Sequence, residues 1–457
     1  MKTYQDRVVA AAARVDPGLL AGVWESVLGR VASRFARVEP RRRARRMVAG
    51  LVSDLPRKNC WTIAEHVGDV SPYGMQHLLR KAVWDADEVR DDVRAMAVEY
   101  LGGHEGRDEA ILVVDETGDV KKGRHSVGVQ RQYTGTAGRI ENAQVAVFVS
   151  YATTAGHTLI DREIYLPASW TDDVDRLSAA GVPAGTTFAT KPQLAARMLA
   201  RALDGGVPAE WVAGDEVYGN DPALRAGLEA RGVGYVLAVA CDHPVATAAG
   251  KSRADVLVER LPSRAWQRLS AGQGAKGHRF YDWAWISIPS SSTSTSTSTS
   301  TSQDAEVPGH RWMLVRRHRS TGELAYYRCY ATTPTTLVAL VRVAGRRWTV
   351  EENFQTGKGC TGLDQHQVRT WTSWYRWTTL VMLGHLLLVA ATIVARAQRC
   401  PEGLIRLSVN ETRRHLIRVV LPNQLQPADA DAWSAWRRQH QHRAQQAHYQ
   451  RQTEREP

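Results

Sequence analysis

The segment ILVVD, residues 111–115, is the stretch on which the expected fold rests. Four consecutive apolar residues predict a strand that is buried on both faces, and Asp115 then places a carboxylate at the end of that strand. A carboxylate in this position is held rigidly and faces a groove, where it is useful as a metal ligand. An aspartate that caps a turn occupies the same kind of position, so Asp115 has two interpretations from the sequence alone.

The same pattern recurs later in the chain. WVAG at residues 211–214 is a second short apolar run, and Asp215 follows it directly. The surrounding periodicity predicts further strands and helices, with strands at 144–151, 157–166 and 235–240 and helices at 191–203 and 224–231. The sequence therefore predicts an α/β fold in which two strands each end in an aspartate.

A third carboxylate comes from a predicted helix. In RRWTVEENFQTGK, residues 346–358, helical spacing places Arg347, Glu351 and Lys358 on one face. The same spacing predicts that Trp348, Val350 and Phe354, together with Thr349, pack inward. An Arg/Glu pair four residues apart is usually a surface ion pair worth about 0.3–0.5 kcal/mol. With partner carboxylates elsewhere, the face can instead hold a metal ion and, through its cations, a phosphate.

The composition favours a polyanionic partner. The chain has 457 residues and a net charge of +12, which points to nucleic acid above all. The five cysteines are scattered without a C-x-x-C pair, so neither a zinc knuckle nor a disulfide framework is indicated, and a reducing cytosol fits. The N-terminus does not resemble a signal peptide. The apolar run 380–395 has nearly the length of a membrane span, but we expect it to form a buried core helix.

The N-terminal part contains a candidate DNA-reading unit. Residues 61–81 read as a helix, a glycine turn and a second helix with a serine cap and an early proline, as in a helix-turn-helix. Plain helical hairpins share this pattern, so both interpretations stand. The candidate phosphate contacts here are Arg43, from the basic run 41–46, and Arg80 and Lys81.

The periodicity divides the chain into five parts. We expect a helical N-terminal DNA-binding domain at 1–105, a first core part at 106–242, a β-rich insertion at 243–335, a second core part at 336–400, and a helical C-terminal region with a disordered tail at 401–457. Within the insertion, the Ser/Thr alternation at 290–302 can bury nothing and is expected to be a disordered loop. From 436 onward the composition is polar and predicts the disordered tail.

Taken together, these motifs resemble the DDE transposases of bacterial insertion sequences, within the large IS-four-like superfamily. That group has a third-acid signature, Tyr-x-x-Arg-x-x-x-Glu-x-x-x-x-x-x-Lys, which Arg347, Glu351 and Lys358 match in type and spacing. Ala344 stands at the tyrosine position, where this chain departs from the signature. Glu116 replaces the second aspartate of the Asp-Asp-Thr run that one subgroup carries after its first strand.

The resemblance implies an RNase H-like mixed sheet flanked by helices, with a mostly β insertion between the second and third acids. It implies that Asp115, Asp215 and Glu351 bind two Mg²⁺ ions, for which Mn²⁺ substitutes, since hard oxygen ligands suit both. The enzyme would cleave DNA at terminal inverted repeats and join the 3′-hydroxyl ends to target DNA, as a homodimer assembled on double-stranded DNA. DNA contacts would come from Arg347 and Lys358, and the basic pair Lys121 and Lys122 is a further candidate.

Several alternatives remain open at this stage. A related RNase H-like nuclease would cut without strand transfer, and a transposase derivative would bind DNA without catalysis. A glycosidase with paired carboxylates fits the net charge and the basic N-terminus poorly. Some relatives form a DNA hairpin in which a tryptophan near the third acid holds a flipped base, whereas Trp348 is expected here to pack inward. We expect a cytoplasmic, nucleoid-associated protein that does not use a membrane.

Overall fold

The structure is a computed structural model that describes residues 15–102, 110–247, 250–274, 277–289, 308–398, 404–425 and 428–453. The Ser/Thr run at 290–302, predicted to be a disordered loop, lies outside the described residues.

The helices are α1 (Pro17–Arg30), α2 (Val38–Val52), α3 (Cys60–His66), α4 (Tyr73–Arg80), α5 (Ala86–Leu101), α6 (Ala168–Thr171), α7 (Val174–Ala180), α8 (Lys191–Asp204), α9 (Glu216–Gly219), α10 (Pro222–Ala230), α11 (Ala254–Glu259), α12 (Leu337–Arg346), α13 (Trp348–Thr361), α14 (Trp371–Arg396), α15 (Val409–Val419) and α16 (Ala430–Thr453). The strands are β1 (Ile111–Val120), β2 (Gln130–Thr134), β3 (Arg139–Ala152), β4 (His157–Ile164), β5 (Trp211–Gly214), β6 (Gly234–Val239), β7 (Pro244–Thr247), β8 (Gly250–Arg253), β9 (Gln267–Gly274), β10 (Gly277–Ile288), β11 (His310–Arg317) and β12 (Leu324–Ala331).

A ten-stranded mixed sheet forms the framework of the α/β part. Its core has the order β4-β3-β1-β5-β6, in which β1 is antiparallel to β3 and parallel to β5, and β5 is parallel to β6. This is the arrangement of an RNase H-like core, so the predicted fold class is confirmed. The central strands read as apolar runs because helices cover both faces of parallel strands, and Leu112, Val113 and Val114 are fully buried.

The insertion between the second and third acids is mostly β, as predicted, and it extends the core sheet. Strand β12 pairs antiparallel with β6, and β11, β10 and β9 continue outward from it. Because Tyr326 lies opposite Val239 in this pairing, the insertion is joined to the core by regular hydrogen bonds rather than by a loop alone. Side chains on β9–β12 can therefore be held rigidly beside the core.

The chain divides into two compact units, which are described separately. The α/β unit comprises Arg94–Leu177 and Ala184–Phe354, and it contains the sheet. The helical unit comprises the chain up to Val93, Ser178–Pro183 and the chain from Gln355 onward.

Helix α14 is the centre of the helical unit. It packs against α1, α2, α4 and α15 and is buried along most of its 26 residues. Near its start, the guanidinium of Arg376 donates to the carbonyl oxygen of Trp84 at 2.7 Å and lies over the Trp84 ring. Among the described residues this is the one helix apolar and long enough to cross a membrane, but 89% of its most apolar window is buried within the protein. It is therefore a core helix, as its sequence predicts.

Two segments differ from the sequence-based expectation. Strand β1 does not end at Asp115 but continues to Val120, because β3 still pairs with it after its parallel partner β5 has ended at Gly214. Residues 436–453, predicted to be disordered, belong to α16. The polar composition missed this helix because Trp433, at its start, is 1% exposed and fixes it to the helical unit.

Candidate active site

The first two acids lie at neighbouring positions on adjacent strands. Val114 of β1 is paired with Gly214 of β5, the last residue of that strand, so Asp115 and Asp215 each come directly after a paired position. The structure thus brings together the two aspartates that the sequence placed a hundred residues apart. Since β5 ends here while β3 continues alongside β1, the edge next to Asp115 is no longer covered by its parallel neighbour.

Asp215 begins a tight turn. Its Oδ1 accepts a hydrogen bond from the Val217 backbone N–H at 2.9 Å, so it caps the short helix α9. Gly219 at the end of α9 lies so close to β6 that a Cβ there would stand 1.8 Å from the Ala238 carbonyl oxygen. Only glycine fits this approach, and the contact fixes the turn that carries Asp215.

The third acid is linked to the first by one arginine. Arg347 lies between α12 and α13, and its Nη2 donates to Glu351 Oε1 at 2.9 Å. The Nη1 of the same guanidinium stands 3.4 Å from Asp115 Oδ2, a long contact that is best described as an ion pair. The structure therefore assembles Asp115, Asp215 and Glu351 in one region of the α/β unit, with a cation between the first and the third.

The adjacent Glu352 has a different, anchoring position. His157 at the start of β4 contacts Glu352 Oε2 through Nε2 at 3.1 Å and Asn353 Oδ1 through Nδ1 at 2.7 Å. The hydrogen bond from His157 lowers the pKa of Glu352. These contacts attach the start of α13 to β4, and of the two glutamates it is Glu351 that shares a cation with Asp115.

Burial and mutual repulsion raise the pKa of both aspartates. Burial, followed by the negative charge of Asp215, raises the pKa of Asp115 to about 7, although Arg347 opposes the shift. Burial and the charge of Glu116 raise the pKa of Asp215. Clustered carboxylates with raised pKa values are typical of sites that bind a cation or catalyse proton transfer.

A fourth carboxylate, Glu116, supports the site from the next position of β1. Its Oε1 accepts from Lys191 Nζ at 2.6 Å, and its Oε2 accepts from the hydroxyl of the fully buried Tyr218 at 2.6 Å. Since Tyr218 belongs to α9, Glu116 ties the strand that carries Asp115 to the turn that carries Asp215. The sequence drew attention to Glu116 but gave no indication of its contact with Tyr218, because the two residues are distant in the chain.

A cavity of about 270 Å³ adjoins Asp215 and Arg347. Its lining includes Asp215, Arg347, Arg279, Arg316, Trp348 and Tyr327. The Nε atoms of Arg279 and Arg316 are buried and find no hydrogen-bond partner within the described ranges. Both arginines belong to the β insertion, and the sequence singled out neither as a site residue, because a cation in a strand gives no indication of its tertiary neighbours.

The position of Trp348 differs from the one predicted from the sequence. The helical pattern predicted that it packs inward, but it is 47% exposed, while Thr349, Val350 and Phe354 are buried as predicted. The reason is that α13 begins at Trp348, so its side chain stands at the break between two helices, where the guanidinium of Arg279 lies 6.0 Å from its ring centroid.

The other predicted DNA contacts differ in exposure. Lys122 is exposed, whereas Lys121 lies 3.9 Å from Asp119 and both side chains are largely buried. Lys358 is half-buried on α13, seven residues after Glu351.

In the helical unit, Arg80 and Lys81 are exposed, and the half-buried Arg43 lies against the backbone of α4 at Gly74. Part of the basic run is used internally, since Arg46 pairs with Asp69 at 2.8 Å.

Comparison with known proteins indicates the family of the chain. The sequence profile of the DDE superfamily endonucleases matches residues 30–256, about half of the chain, a range that includes Asp115 and Asp215. The chain is 32% identical over 198 residues to a probable transposase for insertion sequence element IS701 from Microchaete diplosiphon. That alignment covers 43% of this chain and 48% of the relative, so the chain spans about half the length of the curated relative it matches.

Among solved structures, the chain is similar to piggyBac transposase in a synaptic complex with hairpin DNA, at 11% identity and a TM-score of 0.41, over 93% of this chain and 85% of the other. The profile match spans the strands that carry the first two acids. The chain belongs to the DDE superfamily of endonucleases.

Proposed function

We propose that the protein is a DNA transposase that uses Asp115, Asp215 and Glu351 to cleave the ends of an insertion sequence and join them to target DNA. The observation that supports this proposal most strongly is the convergence of the three acids, two from adjacent strands and one linked to Asp115 through Arg347. The similarity to an insertion-sequence transposase favours this reaction over that of a nuclease that only cuts.

The acids fit a divalent cation in donor type. Carboxylate oxygens are the ligands that Mg²⁺ and Mn²⁺ prefer. The raised pKa values of Asp115 and Asp215 come from burial first and then from the neighbouring negative charges. In the described part of the chain no three acids lie close enough together to hold an ion as they stand, because Arg347 separates Asp115 from Glu351. We propose that Asp115, Asp215 and Glu351 hold Mg²⁺ once Arg347 has moved to a DNA phosphate.

The chemistry follows from these groups. Bound divalent ions would supply an activated water or hydroxyl nucleophile and would stabilise the leaving oxygen. In cleavage, a water oxygen bonds to phosphorus, the bond to the 3′ oxygen breaks, and a 3′-hydroxyl and a 5′-phosphate result. In joining, that 3′-hydroxyl bonds to a phosphorus of target DNA, and the 3′ oxygen of the target strand leaves.

The chain's own cations would position the DNA. Arg347 carries a planar fork of donors that suits a phosphate as well as a carboxylate. Arg279 and Arg316 bring donors that lack partners among the described residues to the cavity beside Asp215, where a neighbouring phosphate would complete their hydrogen bonds. The exposed Trp348 offers a flat apolar face next to them, suited to a base.

Duplex recognition is assigned to the N-terminal helices. We propose that residues 1–105 form the DNA-binding domain, with α3 and α4 as its helix-turn-helix and Arg80, Lys81 and Arg43 among its phosphate contacts. Lys122 and Lys358 would add further contacts. We propose that two copies assemble on the two DNA ends, and that the protein acts on the nucleoid in the cytoplasm.

The test is a Mg²⁺-dependent cleavage assay on the DNA that flanks this gene, comparing wild type with Asp215→Ala. We expect the wild type to cut at the element ends and to form joined products, and the variant to bind the DNA without cutting it. Cleavage without joined products would show a nuclease instead. Binding without cleavage by both proteins, in Mg²⁺ and in Mn²⁺, would show a DNA-binding derivative and overturn the proposal.

A further inference from the structure

The C-terminal helix α16 is attached to the helical unit by its first turns. Trp433 is buried, and its Nε1 donates to the Asp69 carbonyl oxygen, in the turn between α3 and α4, at 2.7 Å. Arg437 forms an ion pair with Glu65 of α3 at 2.7 Å. These contacts place the start of α16 on the candidate helix-turn-helix.

An aromatic cluster extends this attachment. The Trp436 ring lies 4.7 Å from that of Trp61 on α3 and 5.7 Å from that of Tyr73, the first residue of α4, with His440 stacked against it. In a helix-turn-helix, the first residues of the second helix are those nearest to the DNA bases. The helix α16 therefore departs from the end of α4 that would face DNA.

Beyond these contacts α16 is exposed. From Gln441 to Arg451 every residue is exposed except Ala447, so the helix is polar on all sides. This exposed part buries no apolar face of its own, and a stable helix that is polar all round either bridges to another element or is supported by side-chain pairs four residues apart. Between Asp431 and Glu454 the sequence contains no acidic residue.

The cations of this exposed part have no acidic partner within the described ranges. Arg438, Arg443 and Arg451 form no ion pair with any residue that the structure describes, in contrast to the neighbouring Arg437. His442 and His448 lie on the same exposed stretch. This segment, residues 438–451, is named the basic arm.

We propose that the basic arm binds the phosphate backbone of duplex DNA, beside the DNA that α4 contacts. The inference rests on the proposed function for the identity of the polyanion and adds a binding segment to it. At 1.5 Å per residue the arm is about 20 Å long, which spans roughly six base pairs. Its arginines are distributed around the helix rather than along one stripe, which suits a helix of about 10–12 Å diameter lying between the two walls of a major groove about 12 Å wide.

The salt dependence of DNA binding tests the proposal on the full chain. The probe is a duplex of the flanking DNA, with an unrelated duplex in parallel, and the variant is the triple Arg438→Gln, Arg443→Gln, Arg451→Gln. The slope of log K against log salt is negative, and each phosphate that the protein no longer neutralises reduces its magnitude by about 0.9. We therefore expect the slope of the glutamine variant to be less negative than that of the wild type by about 2–3 on both duplexes. Glutamine has nearly the helix propensity of arginine, so the helix is retained.

A matched triple with lysine at the same three positions keeps the charge and should keep the wild-type slope. Circular dichroism, which reports on helix content, verifies that the helices are retained in both variants. An unchanged slope in the glutamine variant overturns the basic arm, even if the wild type binds and cleaves the flanking DNA. If the wild type binds no duplex at all, the proposed function fails together with it.

Discussion

Arg347 and Glu351 form an ion pair of 2.9 Å within the site, and the same guanidinium also lies 3.4 Å from Asp115. A pair at this spacing on an exposed helix contributes little to stability. Here the pair is partly buried, and it joins the third acid to the first through a shared guanidinium. If these acids hold a divalent ion as proposed, binding of the ion and release of Arg347 should be coupled.

Replacing this arginine should expose that coupling. In Arg347→Ala we expect the metal-free protein to lose about 1–2 kcal/mol of unfolding free energy, because two carboxylates lose their charged donor in a partly exposed site. We expect Mn²⁺ to raise the melting temperature more than in wild type, since no cation competes for the acids. Thermal unfolding with and without Mn²⁺ measures both effects.

Arg346→Ala is the control for that variant, since the neighbouring Arg346 donates to the Thr153 carbonyl oxygen at 2.9 Å, a hydrogen bond to backbone rather than to an acid of the site. It should lower stability without enlarging the Mn²⁺ effect. An equal or smaller Mn²⁺ effect in Arg347→Ala would contradict the coupling.

The raised pKa of Asp115 predicts a pH dependence of stability in the absence of metal. The pKa is about 7 in the folded protein, above the ordinary value of 3.8, so between these pH values the folded state binds more protons than the unfolded state. Its contribution to stability is therefore present at low pH and is lost as the pH rises toward 7 and beyond. Asp115→Asn, which cannot ionise, should become progressively more stable than wild type from pH 4 to pH 8 in EDTA.

Urea unfolding at several pH values measures this difference. Subtracting the variant from the wild type removes the contribution of carboxylates that do not interact with Asp115, and leaves that of Asp115 together with its neighbour Asp215. A difference that does not change with pH would show that Asp115 titrates near its ordinary value.

Two glycines provide a matched test of the turn that carries Asp215. A Cβ at Gly219 would stand 1.8 Å from the Ala238 carbonyl oxygen, so Gly219→Ala should cost about 3 kcal/mol or more through overpacking and should weaken Mn²⁺ binding by displacing Asp215. A Cβ at Gly227, within α10, would meet nothing within 4 Å. Gly227→Ala should therefore stabilise the protein by about 0.5–1 kcal/mol. Denaturant unfolding and a Mn²⁺ titration compare the two variants, and equal behaviour would refute the assigned packing.

Trp348 and Phe354 separate a binding role from a packing role on one helix. Phe354 is 8% exposed and packs edge-to-face on Phe148, so Phe354→Ala should cost about 3–5 kcal/mol. Trp348 is half-exposed, so Trp348→Ala should cost less than about 1 kcal/mol while weakening binding of the cleaved DNA end. Unfolding and DNA-binding measurements distinguish them. A large loss of stability in Trp348→Ala, with unchanged DNA binding, would restore the packing interpretation.

The sequence by itself determined the strands and helices that carry the acids, because an apolar run or a helical period reports on burial along a single element. Asp215 after β5, the inward faces of Val350 and Phe354 and the buried helix α14 follow from such local patterns. The resemblance to DDE transposases added the strand framework and the pairing of these acids with Glu351.

Only the tertiary structure decided which groups meet. Arg347 lies between Asp115 and Glu351, and Glu116 accepts hydrogen bonds from both Lys191 and Tyr218. The insertion contributes Arg279 and Arg316 to the same region. Each of these contacts joins residues that are distant in sequence. Burial and electrostatic interactions depend on such neighbours and leave no periodic trace in the chain. For the same reason the polar sequence of α16 did not predict a helix. The helix is held by the packing of Trp433 and Trp436 against α3 and α4, and not by an apolar periodicity within its own sequence.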